Sequence, residues 1–252
     1  MKEIRKMKDY LVLDFGNTNK KLALFKNRRL LRLEQYSEIS LGVIRKFVDP
    51  FPGIKNAILS SVIHHPPSIT RFLASRYHLL ELDEKTPVPL KNRYHSQITL
   101  GRDRLAGAVA GSQMFPCKNV LIINAGTCIT YDFVNSKGEY EGGAISPGIR
   151  MRLAALHTFT GKLPLVSFRK HPSLIGRDTE GSILAGVLNG TTSEIEGIAA
   201  RYNDKYPGLA VVLSGGDQKY FEKRLKISIF ARPNIVIHGL QQILEFNVHK
   251  IL

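Results

Sequence analysis

Three short polar segments have residue types and spacing that suit phosphate binding and proton transfer. The first follows an apolar run at residues 10–13 and consists of Asp14, Phe15, Gly16, Asn17, Thr18 and Asn19. A glycine after a buried strand lets the backbone approach a ligand, and the amide groups of the turn can then point at phosphate oxygens. An aspartate at a strand end can hold Mg²⁺, because this ion prefers oxygen ligands. The alternative is an ordinary hairpin with an Asx turn.

A similar polar turn occurs in the second half of the chain. It follows an apolar run at residues 119–123 and consists of Asn124, Ala125, Gly126 and Thr127. Two such turns, one from each of two similar halves, can bind the phosphates of a nucleotide from both sides. The glycine pair at residues 215–216 is a weaker third point of close approach, suited to contact with a nucleoside.

The third segment consists of Gly101, Arg102, Asp103 and Arg104, at the start of a stretch of small residues that predicts a tightly packed helix. A carboxylate here can accept a proton from a hydroxyl nucleophile, and a neighbouring guanidinium can bind a carboxylate through two hydrogen bonds. The alternative is that Asp103 stabilises the helix N-terminus while Arg104 is solvated. Further on, Thr179 is either a helix cap or a ligand-binding hydroxyl.

Two predicted hairpins carry the two glycine turns. Their strands are the apolar runs at residues 10–13, 21–25, 119–123 and 129–134. The hairpins lie about half a chain apart, which favours two similar halves. We place these two domains at residues 1–116 and 117–252.

The other elements follow from apolar periodicity. In the first half we predict a strand at 57–62 and helices at 69–77 and 105–111, the second helix being broken at 112–116. In the second half we predict a loop at 142–148, helices at 149–159 and 182–202, and a strand at 209–213. The strand at 57–62 and the helix after it indicate a βαβ unit, and the alternation of strands and helices indicates the α/β class.

Composition and charge exclude several classes of protein. With 252 residues, of which 43% are hydrophobic and 23% charged, the chain can bury a core and is not predicted to be disordered. Its 36 Lys and Arg residues exceed its 21 Asp and Glu residues, which gives a net charge of +15. This charge fits a nucleic-acid binder, a membrane-surface protein or an enzyme with anionic ligands, but the basic residues are scattered and form no nucleic-acid-binding arm.

The sequence also favours a cytoplasmic location. Two cysteines are too few for a disulfide framework. No apolar stretch approaches the roughly 18 residues of a membrane helix. Residues 1–9 are charged, unlike the apolar core of a signal peptide.

Taken in order, these segments resemble the type III pantothenate kinase family, which belongs to the superfamily of acetate and sugar kinases, Hsp70 and actin. The resemblance extends from residue 11 to residue 217. It rests on seven segments, at residues 14–19, 101–104, 125–127, 142–148, 160–164, 176–179 and 214–216. Each segment is weak by itself, whereas seven in this order are specific.

The resemblance implies an α/β fold of two similar ribonuclease-H-like halves around a nucleotide cleft, as in actin-like ATPases. It also implies a homodimer with the substrate site near the dimer interface. The implied reaction transfers the γ-phosphoryl group of ATP to the primary hydroxyl of pantothenate and gives 4′-phosphopantothenate, in the first step of coenzyme A synthesis. Such a transfer depends mainly on positioning and charge neutralisation.

Individual residues receive roles from the same resemblance. Asp103 would be the base that accepts or orients the proton of the pantothenate hydroxyl, and Arg104 would be the partner of the pantothenate carboxylate. The pantothenate site would consist of Tyr94, Gly101, Arg102, Asp103, Arg104 and Thr179, the last from the neighbouring half. The ATP site would consist of Asp14, Phe15, Gly16, Asn17, Thr18, Asn19, Lys20, Lys21 and Thr127, with Asp14 near Mg²⁺.

One position departs from the family pattern. Asn124 stands where the family usually has an aspartate that helps to bind a monovalent cation, K⁺ or NH₄⁺. Asparagine offers a carbonyl oxygen but no negative charge. We therefore expect weaker cation binding with activity retained, because Asp103 and the first phosphate turn are intact.

Two other functions compete with this one. A non-catalytic regulatory or accessory relative, associated with nucleic acid, would use the positive charge, but the intact Asp103 and Arg104 argue against it. A sugar or acetate kinase of the same superfamily is a further alternative, against which the resemblance of residues 101–104 to the pantothenate enzymes argues.

Overall fold

In the computed structural model of the protein, residues 9–169 and 172–250 are described. The strands are β1 (Asp9–Phe15), β2 (Lys20–Lys26), β3 (Arg29–Tyr36), β4 (Asn56–Ser61), β5 (His78–Glu81), β6 (Lys91–Asn92), β7 (Val120–Ala125), β8 (Cys128–Val134), β9 (Glu139–Pro147), β10 (Ala210–Ser214) and β11 (Phe230–Ala231). The α-helices are α1 (Leu41–Val48), α2 (Pro67–Arg76), α3 (Arg102–Met114), α4 (Ile149–Thr158), α5 (Thr179–Leu184), α6 (Gly190–Lys205), α7 (Gln218–Glu222) and α8 (Ile235–Lys250). A 3₁₀ helix lies at Gln97–Thr99, and a π-helical turn at Ala185–Asn189 joins α5 to α6. Residues 1–8, which contributed to the predicted location, lie outside the described residues.

The first sheet has the strand order β3-β2-β1-β4-β5. Strands β1 to β3 are antiparallel, and β4 and β5 continue the sheet parallel to β1. Residues 10–13 of the central strand β1 are at most 1% exposed, which explains why they form a continuous apolar run. The connection from β4 through α2 to β5 confirms the predicted βαβ unit.

The second sheet repeats this arrangement. Its order is β11-β10-β7-β8-β9-β6, in which β7 to β9 are antiparallel while β10 and β11 run parallel to β7. Strands β7 to β11 thus match β1 to β5 in order and direction, and β6 is an additional edge strand. The two predicted hairpins are confirmed as equivalent elements of two similar halves.

Each sheet has its own hydrophobic core. In the first, Ile44 and Phe47 of α1 pack in one cluster with residues of β1, β2 and β4. In the second, Ile149 and Leu153 of α4 pack in a cluster with residues of β7, β8 and β10. Each such side chain stabilises the fold by about 1.5–3 kcal/mol. The polar turns lie at the ends of strands that these cores hold in place.

The chain divides into two compact units. Unit 1 contains the described residues up to Lys91, His95–Ala110 and the chain from Val236 onward. Unit 2 contains Asn92–Tyr94 and Gly111–Ile235. This division falls within α3 and assigns almost all of α8 to the first unit. The predicted boundary between residues 116 and 117 stays a prediction.

Three predicted elements differ from the structure. The helix predicted at 105–111 is the longer α3, which continues past Gly111 to Met114. The loop predicted at 142–148 is wrong, because residues up to Pro147 belong to β9 and pair with β8. Main-chain hydrogen bonds hold this strand although its sequence is rich in glycine. The helix predicted at 182–202 consists of α5, the π-helical turn and α6.

Among the described helices, none combines the length and the apolar character needed to cross a membrane.

Candidate functional site

The first glycine turn lies at the end of β1 in unit 1. The Gly16 amide donates to the Asn19 carbonyl at 3.0 Å and closes the turn, and Asn17 to Asn19 are exposed. Lys20 Nζ donates to the main-chain carbonyls of Ser37 at 2.9 Å and Asn17 at 3.3 Å. Lys20 therefore holds the turn in place, while the polar side chains of the turn face the solvent.

Asp14 lies where three strands meet. In the sheet register it is opposite Lys21 of β2 and Ser60 of β4. Burial and, to a smaller extent, the negative charge of Asp103 raise the pKa of Asp14 to about 6, while Lys21 and a hydrogen bond from Ser60 oppose the shift. Burial also lowers the pKa of Lys21, against the influence of Asp14. Asp103 therefore lies close enough to Asp14 in unit 1 for its charge to act on the Asp14 carboxylate.

The N-terminus of α3 holds the third polar segment. Asp103 is in its first turn, and a Cβ atom on Gly101 would lie 2.7 Å from Asp103 Oδ1, so the carboxylate uses the space that the glycine leaves. Arg102 Nη1 donates to the Ser61 carbonyl at 2.7 Å, which ties α3 to the end of β4. Arg104 is only 7% exposed, so the alternative of a solvated Arg104 is wrong.

A cavity of about 650 Å³ lies beside this segment in unit 1. It is lined by Asn17, residues 61–64 and residues 98–102. Residues 61–64 and 98–100 line the cavity but are not among the predicted site residues. The predicted strand at 57–62 could have indicated residues 61–64. The carboxyl ends of neighbouring parallel strands lie at the same edge of a sheet, so the end of this strand is expected beside the first glycine turn.

The second glycine turn, in unit 2, lies at the equivalent strand end and is shorter than the first. Asn124 of β7 is opposite Ser214 of β10, as Asp14 is opposite Ser60. The Gly126 amide donates to the Cys128 carbonyl at 2.9 Å, and Thr127 is exposed. Asn124 therefore occupies the position that Asp14 has in the other half.

Gly148, just before α4, supports this second turn. Its amide donates to the Thr127 carbonyl at 3.0 Å, and a Cβ atom on it would collide with the carbonyl of Gly126. Glycine is therefore required for the approach of the α4 N-terminus to the turn.

The glycine pair after β10 also approaches the second turn. Gly215 has φ of +102° and leaves no room for a Cβ atom beside Ala125, and the Asp217 amide donates to the Ala125 carbonyl at 3.0 Å. The Asp217 carboxylate accepts from Arg150 at 3.1 Å. Burial raises the pKa of Asp217 and Arg150 opposes this shift. The weak sequence signal at 215–216 thus corresponds to a close backbone approach.

Thr179 begins α5 but does not cap it. Asp178 Oδ1 accepts from the Gly181 amide at 2.6 Å, so Asp178 is the N-cap and Thr179 is exposed. Thr179 lines an open cavity of about 1150 Å³ in unit 2, together with Arg152 of α4, Phe159 just after that helix, and other residues of α4 and α5. The Thr179 hydroxyl is therefore available to a ligand.

Tyr94 belongs to unit 2, next to β6. Its amide donates to Asn92 Oδ1 at 3.0 Å, and its ring stacks on Tyr140 with 6.1 Å between the centroids. The predicted residues thus form separate groups: residues 14–21 and 101–104 in unit 1, and Tyr94, Asn124, Thr127 and Thr179 in unit 2.

The carboxylate oxygens of Asp14, near the first turn, are suitable ligands for a magnesium ion. Within the described ranges, no cluster of three or more His, Cys, Asp or Glu side chains could hold a metal ion. Mg²⁺ does not need such a cluster, because it keeps several waters and takes one or two carboxylates together with substrate phosphates. A cation beside Asp14 would also relieve the repulsion from Asp103 that raises the Asp14 pKa.

The repeated strand order, with a glycine turn at the same place in each half, defines the duplicated ribonuclease-H-like fold of actin-like ATPases and sugar kinases. Two solved structures share this fold. A conserved protein assigned to the Baf family of transcriptional activators, from Campylobacter jejuni, has a TM-score of 0.60 and 19% identity, over 95% of this chain and 99% of its own. The ethanolamine utilization protein EutJ from Carboxydothermus hydrogenoformans has a TM-score of 0.52 and 14% identity, over 93% of this chain and 89% of its own.

Sequence comparison identifies the family. A family model described as type III pantothenate kinase matches residues 10–201. The type III pantothenate kinase of Christiangramia forsetii is 44% identical over 94% of this chain and 98% of its own. That of Bacteroides fragilis is 43% identical over 96% of this chain and 99% of its own. The chain belongs to the type III pantothenate kinase family.

Proposed function

We propose that this protein is an ATP-dependent pantothenate kinase, which transfers the γ-phosphoryl group of ATP to the primary hydroxyl of pantothenate. The observation that carries the proposal is the proximity of Asp103, at the N-terminus of α3, to Asp14, at the first glycine turn. A proton acceptor beside a candidate phosphate and magnesium site supports phosphoryl transfer to a hydroxyl group. Family membership supports the kinase and gives no support to an accessory protein.

Asp103 is the catalytic base in this proposal. Its carboxylate takes the proton of the pantothenate hydroxyl while the hydroxyl oxygen forms a bond to the γ-phosphorus. The bond between that phosphorus and the β,γ-bridging oxygen breaks, and ADP leaves with the electron pair. Proton transfer of this kind contributes about 10²- to 10⁴-fold to the rate.

Arg104 binds the carboxylate of pantothenate. The residue is only 7% exposed, and a guanidinium can bind a carboxylate through two charge-assisted hydrogen bonds. Gly101, Arg102, Tyr94 and Thr179 complete the pantothenate site. Support for Thr179 comes from its exposed hydroxyl, which the Asp178 cap leaves available.

The two glycine turns hold ATP. Residues 14–21 bind the phosphates, with Asp14 as the ligand of Mg²⁺, and Thr127 adds a contact from the second turn. The divalent ion neutralises phosphate charge when it is bound. Because Lys20 closes its own turn through two main-chain carbonyls, its contribution to the ATP site is to keep the turn in shape.

Asn124 binds a monovalent cation more weakly than an aspartate would. Its equivalence to Asp14 in the other half supports a position beside the phosphates. Its amide oxygen can coordinate K⁺ or NH₄⁺ but supplies no charge. The enzyme therefore depends on a higher concentration of the cation.

We also propose that the enzyme is a homodimer. Phe159, Leu174 and Ile175, all in unit 2, are 84%, 83% and 73% exposed. Leu174 and Ile175 are adjacent in the chain, and neighbouring exposed apolar side chains are typical of surfaces that another protein covers. Phe159 lines the same cavity as Thr179, as expected if the substrate site is near the interface.

A comparison of two aspartate variants tests the proposed function. Purified protein would be incubated with labelled pantothenate, Mg·ATP and K⁺, and phosphorylated product would be measured. Asp103→Asn should lower kcat by about 10²-fold or more. Asp49→Asn is the matched control, because Asp49 forms a surface ion pair with Arg76 and should leave kcat unchanged. A fully active Asp103→Asn enzyme would overturn the assignment of the base, and no product from the unmodified protein would overturn the function.

A further inference from the structure

A buried carboxylate in the second sheet has no role in the site described above. Asp132 of β8 is 2% exposed. Its Oδ1 accepts from the Tyr140 hydroxyl at 2.7 Å, and its Oδ2 accepts from the Thr130 hydroxyl at 3.0 Å. Burial of a carboxylate is unfavourable unless it is hydrogen-bonded. These two hydroxyl groups satisfy the buried Asp132 carboxylate. The contacts of Tyr140 indicate the role of Asp132.

Tyr140 contacts the Tyr94 segment in two ways. Its ring is fully buried and stacks on the Tyr94 ring, with 6.1 Å between centroids and 29° between planes. Its main-chain carbonyl accepts from the Arg93 amide at 2.9 Å. Stacked rings at this separation attract each other beyond the effect of burial alone. The position of the Tyr140 ring therefore limits where the Tyr94 ring can lie.

A bulge in β9 gives Tyr94 its space. Phe133 of β8 pairs with Gly142 and the next residue, Val134, pairs with Tyr140, so one residue of β9 has no partner. Gly142 has φ of +105°, and a Cβ atom there would lie 3.1 Å from the Tyr94 ring. Bulges of this kind redirect side chains near functional sites.

We infer that Asp132 and Tyr140 are positioning residues for pantothenate binding, because Asp132 fixes the hydroxyl of Tyr140 and Tyr140 fixes the ring of Tyr94. The inference rests on the proposed function, in which Tyr94 contacts pantothenate. Neither Asp132 nor Tyr140 touches the substrate in this account. Their loss should raise the KM for pantothenate and leave the KM for ATP unchanged.

Tyr140→Phe and a matched tyrosine variant test the inference. Tyr140→Phe keeps the ring but removes the hydroxyl that Asp132 holds, and it should raise the pantothenate KM about five-fold, as expected for one lost hydrogen bond. Tyr131→Phe is the control, because Tyr131 is also fully buried in β8 and donates to a carboxylate, Glu194, at 3.0 Å. Both variants should lose thermal stability, but only Tyr140→Phe should change the pantothenate KM. Equal KM values in both variants would overturn the inference.

Two substitutions of Asp132 provide an alternative test of the inference if the Tyr140→Phe variant does not fold. Asp132→Asn keeps an acceptor for Tyr140 and a donor for the Thr130 hydroxyl, so its pantothenate KM should stay within about two-fold of the original. Asp132→Ala removes both partners and should raise that KM about five-fold. Equal KM values for these two variants would contradict the inference. An unmodified protein without pantothenate kinase activity would overturn the proposed function and this inference together, whereas an active enzyme with insensitive variants would overturn the inference alone.

Discussion

Asp14 links the charge of the candidate site to the stability of unit 1. Its pKa in the folded protein is about 6, above the value near 4 of an unfolded chain. The folded state therefore holds the proton more tightly than the unfolded state. Its contribution to stability is complete below about pH 4 and is lost as the pH rises through 6.

Asp14→Asn should remove the loss of stability that accompanies ionisation of Asp14 as the pH rises. Relative to the unmodified protein, the variant should gain free energy of unfolding on the order of 2 kcal/mol between pH 4 and pH 7. Urea unfolding of both proteins at the two pH values measures the change. A difference between the proteins that is the same at both pH values would show that Asp14 is not the titrating group.

At Asn124 the family resemblance implies a departure from the aspartate that would help to bind a monovalent cation. Asn124→Asp restores a negative charge opposite Ser214, at the second glycine turn. The K⁺ concentration for half-maximal activity should fall by about 2- to 5-fold, the range expected for a partly exposed ion pair. Titration of the rate with KCl, at an ionic strength kept constant with a tetramethylammonium salt, measures it. An unchanged K⁺ dependence would remove Asn124 from the cation site.

Among the elements, α4 and the second turn are joined by a glycine. Gly148→Ala should push the turn away, because its Cβ atom would collide with the Gly126 carbonyl. We expect a higher KM for ATP and a loss of stability of about 1–3 kcal/mol, as for other overpacked sites. Gly190→Ala is the control, since a Cβ atom there meets nothing within 4 Å and lies in α6. Equal ATP KM values for the two variants would contradict the role of Gly148.

The hairpins and most helices could be predicted because their signals are local. A buried central strand such as β1 gives a continuous apolar run, and the glycine that ends each run marks the turn. The fold class followed from the repetition of this pattern and from family resemblance.

Other features depend on contacts that a sequence pattern does not show. The loop prediction at residues 142–148 is wrong because the glycines there hide most of a strand, β9, that pairs through the main chain. The hydrogen bond that Tyr140 donates to Asp132 depends on the bulged pairing of β8 with β9, and the burial of Arg104 depends on tertiary packing. The membership of α8 in unit 1 also depends on tertiary contacts, since an amphipathic pattern does not specify the partner of a helix.

For the whole molecule, the proposed dimer allows a test of whether Thr179 of one subunit completes the substrate site of the other. Asp103→Asn and Thr179→Ala should each be inactive as homodimers. If Thr179 serves the site of the partner subunit, a hybrid of the two variants contains one fully intact site. Copurified hybrids carrying two different affinity tags should then recover about half of the normal activity, because one of two sites is complete.

Light scattering and the hybrid together decide the assembly. A mass of one chain in solution would contradict the dimer. A dimer whose hybrid stays inactive would place Thr179 in the site of its own chain.

The most direct measurement of the central claim is the identity of the product. Pantothenate would be incubated with the unmodified protein, Mg·ATP and K⁺ and followed by ³¹P NMR. We predict a phosphomonoester resonance coupled to the protons of the primary CH₂ group of pantothenate, which appears as ATP is converted to ADP. Formation of ADP without that resonance, or no consumption of ATP at any K⁺ concentration, would contradict the assignment of this protein as a pantothenate kinase.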